Sequence, residues 1–361
     1  MIPPINYHSS SIFQDELNSI FTKNWIFVGL KLEFEGLCHA GRRVGNHELV
    51  IQFDSEGLPH AFRNACSHRS SRLCKDGIHT GAIRCPYHGW VYDRLGTPVG
   101  IPIKEAFPEV VAHPNNFKLQ EVTCESVGQF IFVRIASTGD SLKEYLGDEY
   151  EFLINCSKSF KSIEDSFEAT VDANWKVVIE NSLEGYHVPA VHNKTFMQAD
   201  GMGKGNDAPI FILNNSKHSH LIHAADKDWV RRFARVEKQI GQWPWRFEHY
   251  THHLIFPNLT ITSFMGYSFH VQIFQPEDIK KTKIRSHTIG VNFEGMTQVG
   301  KKMIEQIYQD GNIFTRKIFN EDSEICKEIQ YGLSQALNPP IFGLGLEDRV
   351  KHFHLAYLSH N

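Results

Sequence analysis

Two cysteine–histidine pairs constrain this chain more than any other feature. Cys66 and His68 are separated by one residue. After sixteen intervening residues Cys85 and His88 follow, three apart, within Cys85-Pro86-Tyr87-His88-Gly89-Trp90. Each pair mixes a thiolate donor with an imidazole donor, so the fold must bring two separate loops together. The residues around them suit that task. From about Leu30 to Arg134, short apolar runs such as Glu48–Phe53 and Gln129–Arg134 are split by Gly, Pro and Asn. This is the pattern of strands joined by turns, and it predicts an all-β module with the two loops at one end.

Two thiolates and two imidazoles have two readings. As a structural zinc set, like ligands usually come paired, Cys with Cys and His with His. Here every loop is mixed, which suits a Rieske [2Fe–2S] centre, with thiolates on one iron and imidazoles on the other. Arg69, Pro86, Gly89 and Trp90 flank the pairs in keeping with that reading. Neutral imidazoles in place of two thiolates raise the reduction potential. Cys74, between the loops, reads as an ordinary buried thiol.

A second signal lies in the run Asn174-Trp175-Lys176 to His192. A helix is expected over about Ala173 to Gly185. Glu184 and His187, three apart, would share its face. Pro189 should then distort the helix, because it lacks an N–H and clashes with the preceding turn. Without distortion, His187 and His192 would point about 140° apart. Two histidines and a carboxylate form the facial triad of non-haem Fe(II) sites. Asp322 is the candidate acid, on an apolar stripe of Ile318, Ile325 and Ile329. The alternatives are a solvated turn at Asp322, beside Glu321 and Glu324, and satisfied core histidines at His187 and His192.

The remaining sequence sets outer bounds. With 361 residues the chain is long enough for two domains, and its 22% charged residues and net charge of −4 suggest neither a nucleic-acid nor an anionic-membrane partner. No apolar run reaches the length of a membrane span. Met1-Ile2-Pro3-Pro4 does not open a secretory signal. The seven cysteines show no disulfide spacing, so a cytoplasmic location is expected. An amphipathic helix carries Phe13, Leu17, Ile20 and Phe21. After a helical, charged connection over Asp140–Ile154, strands are expected at Ile210–Leu213, Leu259–Phe264, Phe269–Phe274 and Lys283–Val291. Helices are expected over Gly295–Gln309, Ile313–Tyr331 and Asp348–Leu358. The fold class is therefore α+β. Gln198 to Pro209, rich in glycine, reads as a surface loop or a lid.

Taken together, the two sites resemble the α subunit of a Rieske non-haem iron oxygenase, the family of aromatic-ring-hydroxylating and carnitine-type oxygenases. The likeness runs from Asn24–Gly29 through the cluster loops, Asn174-Trp175-Lys176, Glu180-Asn181, Tyr186-His187, His192 and Phe256–Leu259 to Glu321–Cys326. It implies an N-terminal helix over 1–29 packing on the catalytic domain, a Rieske domain over 30–138, and a helix-grip catalytic domain over 139–361. It implies Cys66, His68, Cys85 and His88 on the cluster, and His187, His192 and Asp322 on a mononuclear Fe(II). It also implies O2 as co-substrate, a flavin- and ferredoxin-type reductase using NAD(P)H, and a head-to-tail homotrimer.

Many members of the family place Asp three residues before the first iron histidine; this chain has Glu184. In the family that acid normally bridges the two centres, which here would join His187 to His88 of the adjacent subunit; Glu at this position is similar to carnitine-type oxygenases. The expected activity is monooxygenation of a small organic substrate, by hydroxylation or C–N cleavage, with quaternary ammonium compounds one class. Aromatic-ring dihydroxylation is the alternative within the family. An electron carrier with an inactive second site is the alternative outside it. Trp229, Trp243, Trp245, Phe247, Tyr250 and Tyr267 could form an aromatic cage or simply core.

Overall fold

The computed structural model describes residues 1–34, 36, 38–198 and 211–359. The chain divides into two compact units, Glu16–Tyr145 and Met1–Asp15 with Leu146–Asn361. The dividing point near the N-terminus falls inside the first helix, Ser10–Lys23.

The first unit is built from antiparallel strands. Its main sheet has seven, in the order Ile26–Leu30, Phe130–Arg134, Glu121–Val127, Pro59–Arg63, His47–Phe53, Cys38–Val44, Gly77–Thr80. The strand expected around Glu48–Phe53 forms, but Leu49, Val50 and Ile51 are all fully buried. Such a continuous apolar run marks a strand covered on both faces, here a central one between two neighbours. A smaller sheet, Ile83–Arg84, Val91–Tyr92 and Pro98–Gly100, frames the second cysteine loop. Under both loops lies a core that includes Val50, Phe62, Leu73, Ile83, Trp90 and Tyr92.

The second unit holds another seven-stranded antiparallel sheet. Phe160–Val171 pairs with Lys281–Val291, and the order continues through Ser268–Asp278, Leu259–Phe264, His249–Ile255 and His218–Ala224 to Phe211–Asn215. Three of these strands were not anticipated from sequence: Phe160–Val171, His218–Ala224 and His249–Ile255. Polar and charged residues in the first, and histidines in the other two, hide the period-2 signal. The two C-terminal helices expected around Gly311 form one uninterrupted helix, Gln298–Leu333. A single glycine costs a helix only about 1 kcal/mol, which the packing of the flanking turns outweighs. Thr297 caps its start by accepting from the Gly300 N–H. This helix packs on the strand Phe160–Val171 and on the helices Trp175–Ser182 and Lys227–Ile240. The last helix, Asp348–Leu358, lies where expected.

The N-terminal fifteen residues are tied into this unit. Ile2 N–H donates to His354 Nδ1 at 2.9 Å, and Tyr7 Oη donates to Glu180 Oε1 at 2.6 Å. Lys176 is fully buried, with its ammonium 5.1 Å from the Tyr7 ring and 5.3 Å from the rings of Trp175 and Tyr357. Such faces stabilise a desolvated cation. Among the described residues, no helix is long and apolar enough to cross a membrane. Of the segment read as a surface loop or lid, Gln198 ends a 3-10 turn and residues 199–209 lie outside the described residues.

Candidate metal centres

The two cysteine loops are near-copies of each other. Ser70 N–H bonds back to Cys66 O at 2.8 Å, and Gly89 N–H to Cys85 O at 3.0 Å. Cys66 N–H reaches Ser71 O at 2.9 Å, and Cys85 N–H reaches Trp90 O at 2.8 Å. In each loop the residue four after the cysteine has a left-handed backbone, Ser70 at φ 55° and Gly89 at φ 74°. Glycine adopts this without cost; serine does not. The first loop is held instead by Asn64, which accepts from Leu73 and Cys74 N–H and donates to Cys74 O. This also fixes Cys74 as a packed thiol, pushed up to about 11 by burial.

All four donors come together. His68 and His88 ring centroids are 4.7 Å apart, and His68 stacks on Trp90 at 4.9 Å. Cys66 and Cys85 are buried and interact. Burial raises Cys85, but the N–H groups of Tyr87 and His88, with Cys66 and Ser71, outweigh it and hold the thiol below its ordinary value. Buried His68 Nδ1 has no hydrogen-bond partner. An orphaned ring nitrogen beside two buried thiols is the vacancy in bonding that an iron–sulfur cluster satisfies. Tyr92, which sequence reasoning did not single out, places its hydroxyl 3.0 Å from Cys66 Sγ.

The second site departs from expectation in how it is built. The helix Trp175–Ser182 stops before Glu184, so Glu184 and His187 share no helix face. Leu183 N–H closes on Glu180 O, and the chain turns away. Glu184 works as a local clamp. Its Oε2 accepts from the backbone N–H of Tyr186 and of His187, and its Oε1 accepts from His187 Nδ1 at 2.6 Å. Pro189 then starts a separate one-turn helix, Val188–Val191, as proline favours the first turn. His187 and His192 flank it as its N-cap and C-cap residues. The result matches what a kink was expected to achieve: the rings converge, with centroids 5.2 Å apart.

Asp322 projects from the long helix toward both. Its Oδ1 lies 3.0 Å from His192 Nε2 and 3.5 Å from His187 Nε2, yet it is buried and makes no hydrogen bond of acceptable geometry. Three donor atoms aimed at one another without bonding geometry fit a divalent metal. The inner face of the helix differs from the expected stripe. Ile329 is exposed, whereas Ile318, Phe319, Asp322 and Cys326 border the cavity.

Glu321, read from sequence only as a neighbour of Asp322, has a part of its own. It accepts from His192 Nδ1 at 2.6 Å and from Thr195 Oγ1 at 2.6 Å. Each imidazole is therefore held at Nδ1 by its own carboxylate and presents Nε2 to Asp322. Carboxylate-to-imidazole bonding of this kind fixes tautomer and ring orientation at metal sites. Burial disfavours charge on His187, but Asp322 and Glu184 outweigh it and raise the imidazole to about 9. Burial raises Asp322, but His187, His192 and Asn181 outweigh it and keep the acid low.

The site opens into a cavity of about 660 Å³. Of the six aromatic candidates, Trp229, Tyr250 and Tyr267 line it, and Trp243, Trp245 and Phe247 do not. Trp243 is buried, donating to Met265 O.

A β-module holding a two-cysteine, two-histidine site, with an α+β unit holding a two-histidine, one-carboxylate site, defines an iron-dependent redox protein of two centres. Residues 24–119 match the Rieske [2Fe-2S] domain, and residues 154–360 match the ring hydroxylating alpha subunit (catalytic domain). The chain belongs to the family of ring-hydroxylating alpha subunits, whose cofactors are a Rieske [2Fe–2S] cluster and a mononuclear iron. It is 30% identical over 200 residues to the N,N-dimethyl phenylurea N-demethylase subunit alpha of Sphingobium sp. (strain YBL2), covering 53% of this chain and 44% of that protein. Identity is also 30% over 195 residues to the glycine betaine monooxygenase oxygenase subunit of Chromohalobacter salexigens, covering 53% and 43%. The match thus spans less than half the length of these relatives. The fold superposes on the quaternary ammonium Rieske monooxygenase CntA, solved with an inhibitor, at a TM-score of 0.78 and 21% identity, covering 100% of this chain and 95% of that one.

Proposed function

We propose that this chain is the terminal oxygenase component of a monooxygenase. Residues 30–138 serve as its electron-entry module and 139–361 as its catalytic module. The observation that carries the reading is the convergence of His187 Nε2 and His192 Nε2 on the unbonded Asp322 Oδ1, with separate carboxylates behind the two rings.

When bound, the cluster supplies single electrons and the ferrous ion supplies open positions for O2. Cys66, His68, Cys85 and His88 would hold the cluster. His187, His192 and Asp322 would hold the mononuclear iron. Glu184 and Glu321 keep both imidazoles oriented. Because Glu184 already binds His187 Nδ1, it is the group to receive an imidazole from His88 of a neighbouring subunit in a head-to-tail trimer. A flavin- and ferredoxin-type reductase using NAD(P)H supplies the electrons, in the cytoplasm. The substrate is a small organic molecule, hydroxylated or cleaved at a C–N bond. The relatives divide on its chemistry: a phenylurea has no carboxylate, and glycine betaine has one.

Metal analysis tests the reading. The wild type should carry three irons per chain, and Asp322→Ala two, with the cluster spectrum intact. Full iron retention in Asp322→Ala would defeat the assignment.

A further inference from the structure

The cavity beside His187, His192 and Asp322 carries a chemical preference of its own. At about 660 Å³ it lies within the ordinary range for organic ligands of drug size. Its walls are aromatic. Trp229 meets Phe264 edge to face at 4.7 Å, and Phe196 and Phe314 pair at 6.0 Å. Among the described lining residues there is no lysine and no arginine; of the three acids that border it, Glu184 is held by His187, Asp322 faces the two imidazoles of the metal site, and Asp310 lies at the exposed end, bonded to Gln306.

The lining histidines away from the iron site do not make up for this. Burial, with Arg349 close by, drives His252 well below its ordinary value. Burial likewise brings His270 to about 4. Both rings are uncharged at neutral pH. The buried guanidinium of Arg349 is behind the wall. It donates to Ser219 Oγ and O and lies 3.0 Å from His252 Nδ1. What the cavity does offer is neutral hydrogen-bonding groups, at Thr262, Ser268 and Gln272. These suit a hydroxyl, amide or urea. An anion entering such a space would exchange its hydration for aromatic and uncharged polar walls with no cationic side chain among the described residues, a costly transfer.

We propose that this pocket takes an aromatic or N-alkyl substrate without a carboxylate, sulfonate or phosphate group, and that it rejects zwitterionic betaines. This rests on the terminal-oxygenase reading for the identity of the pocket, and it decides between the two substrate chemistries found among the relatives.

The test is calorimetric binding to the iron-loaded, full-length protein, which does not require turnover. Matched pairs differ only in the anionic group: choline against glycine betaine, and N,N-dimethylbenzylamine against its para-carboxylate. The uncharged-ended member of each pair should bind at least about 100-fold more tightly, as expected where a buried charge lacks a partner. Gln272→Lys, which puts a cation into the wall, should narrow the gap from the acid's side. Equal affinity within the pairs, or binding of the acids alone, overturns the proposal. So does failure of every neutral-ended compound to bind a protein that holds its third iron. Absence of that third iron defeats the oxygenase reading instead, and the iron assay run on the same sample separates the two failures.

Discussion

Replacing Glu321 separates a residue that orients a ligand from one that is a ligand. Glu321 Oε2 accepts two hydrogen bonds of 2.6 Å, from His192 Nδ1 and Thr195 Oγ1. The His192 side chain is only 2% exposed, so its orientation rests on the groups packed against it. Glu321→Ala leaves the Nδ1–H without its carboxylate and lets the ring rotate away from Asp322. Loss of a carboxylate behind a metal-bound histidine typically costs roughly 10–100-fold in metal affinity, or about 1.4–2.7 kcal/mol. Glu321→Gln keeps one acceptor oxygen and should fall between. The assay is Fe(II) competition against a chelator under anaerobic conditions, with the cluster's visible spectrum as an internal control. An unchanged Fe(II) dissociation constant in Glu321→Ala would refute the role. Complete loss of the iron, equal to that in Asp322→Ala, would make Glu321 itself a ligand.

Other outcomes follow from the same geometry. Cys66→Ser or His88→Ala should abolish the Rieske-type EPR signal and leave the mononuclear iron in place; loss of both metals together would mean a folding defect. Glu184→Gln should keep both centres loaded while slowing stopped-flow reoxidation of the reduced cluster in the presence of substrate and O2, and a wild-type rate would exclude Glu184 from the electron's route. Burial raises the Glu149 carboxyl, but His253, 2.8 Å away, outweighs this and holds it below its unfolded value. Its contribution is then fully present above the ordinary glutamate range and disappears as pH falls through the lower folded-state value. The melting-temperature gap between wild type and Glu149→Gln should accordingly be widest near neutrality and shrink in acid; a gap that stays constant with pH would contradict the pairing.

The sequence revealed ligand chemistry better than ligand scaffolding. Cys66, His68, Cys85 and His88 are legible because mixed pairs on two loops have few uses, and the loops do converge. His187, His192 and Asp322 also meet, but not by the expected route. Helical spacing placed Glu184 and His187 on one face; in fact a turn after Ser182 does so, with Glu184 bonded to backbone N–H groups. Proline punctuation was read correctly and helix continuation was not. Glu321 was obscured for a simple reason. Adjacent residues on a helix point about 100° apart, so one would not be expected to share a site with its neighbour. They do because His192 lies between them and offers a different nitrogen to each. The strands His218–Ala224 and His249–Ile255 escaped notice because histidines fill positions where apolar residues would mark a core. The roles of Trp229 and Trp243 separate only in the fold, where Trp229 on the helix Lys227–Ile240 lines the cavity and Trp243 is buried against Met265 O.

The unbroken helix Gln298–Leu333 has a genetic consequence. One rod carries pocket wall at Ile307 and Phe314, and both acids at Glu321 and Asp322. A substitution on it changes one side chain. A single-codon deletion or insertion between Gly311 and Phe319 changes the phase of everything beyond it, swinging both carboxylates about 100° around the axis. No loop intervenes to absorb the slip. Natural variation in this stretch should therefore consist of replacements, with length changes confined to the turns on either side of the helix.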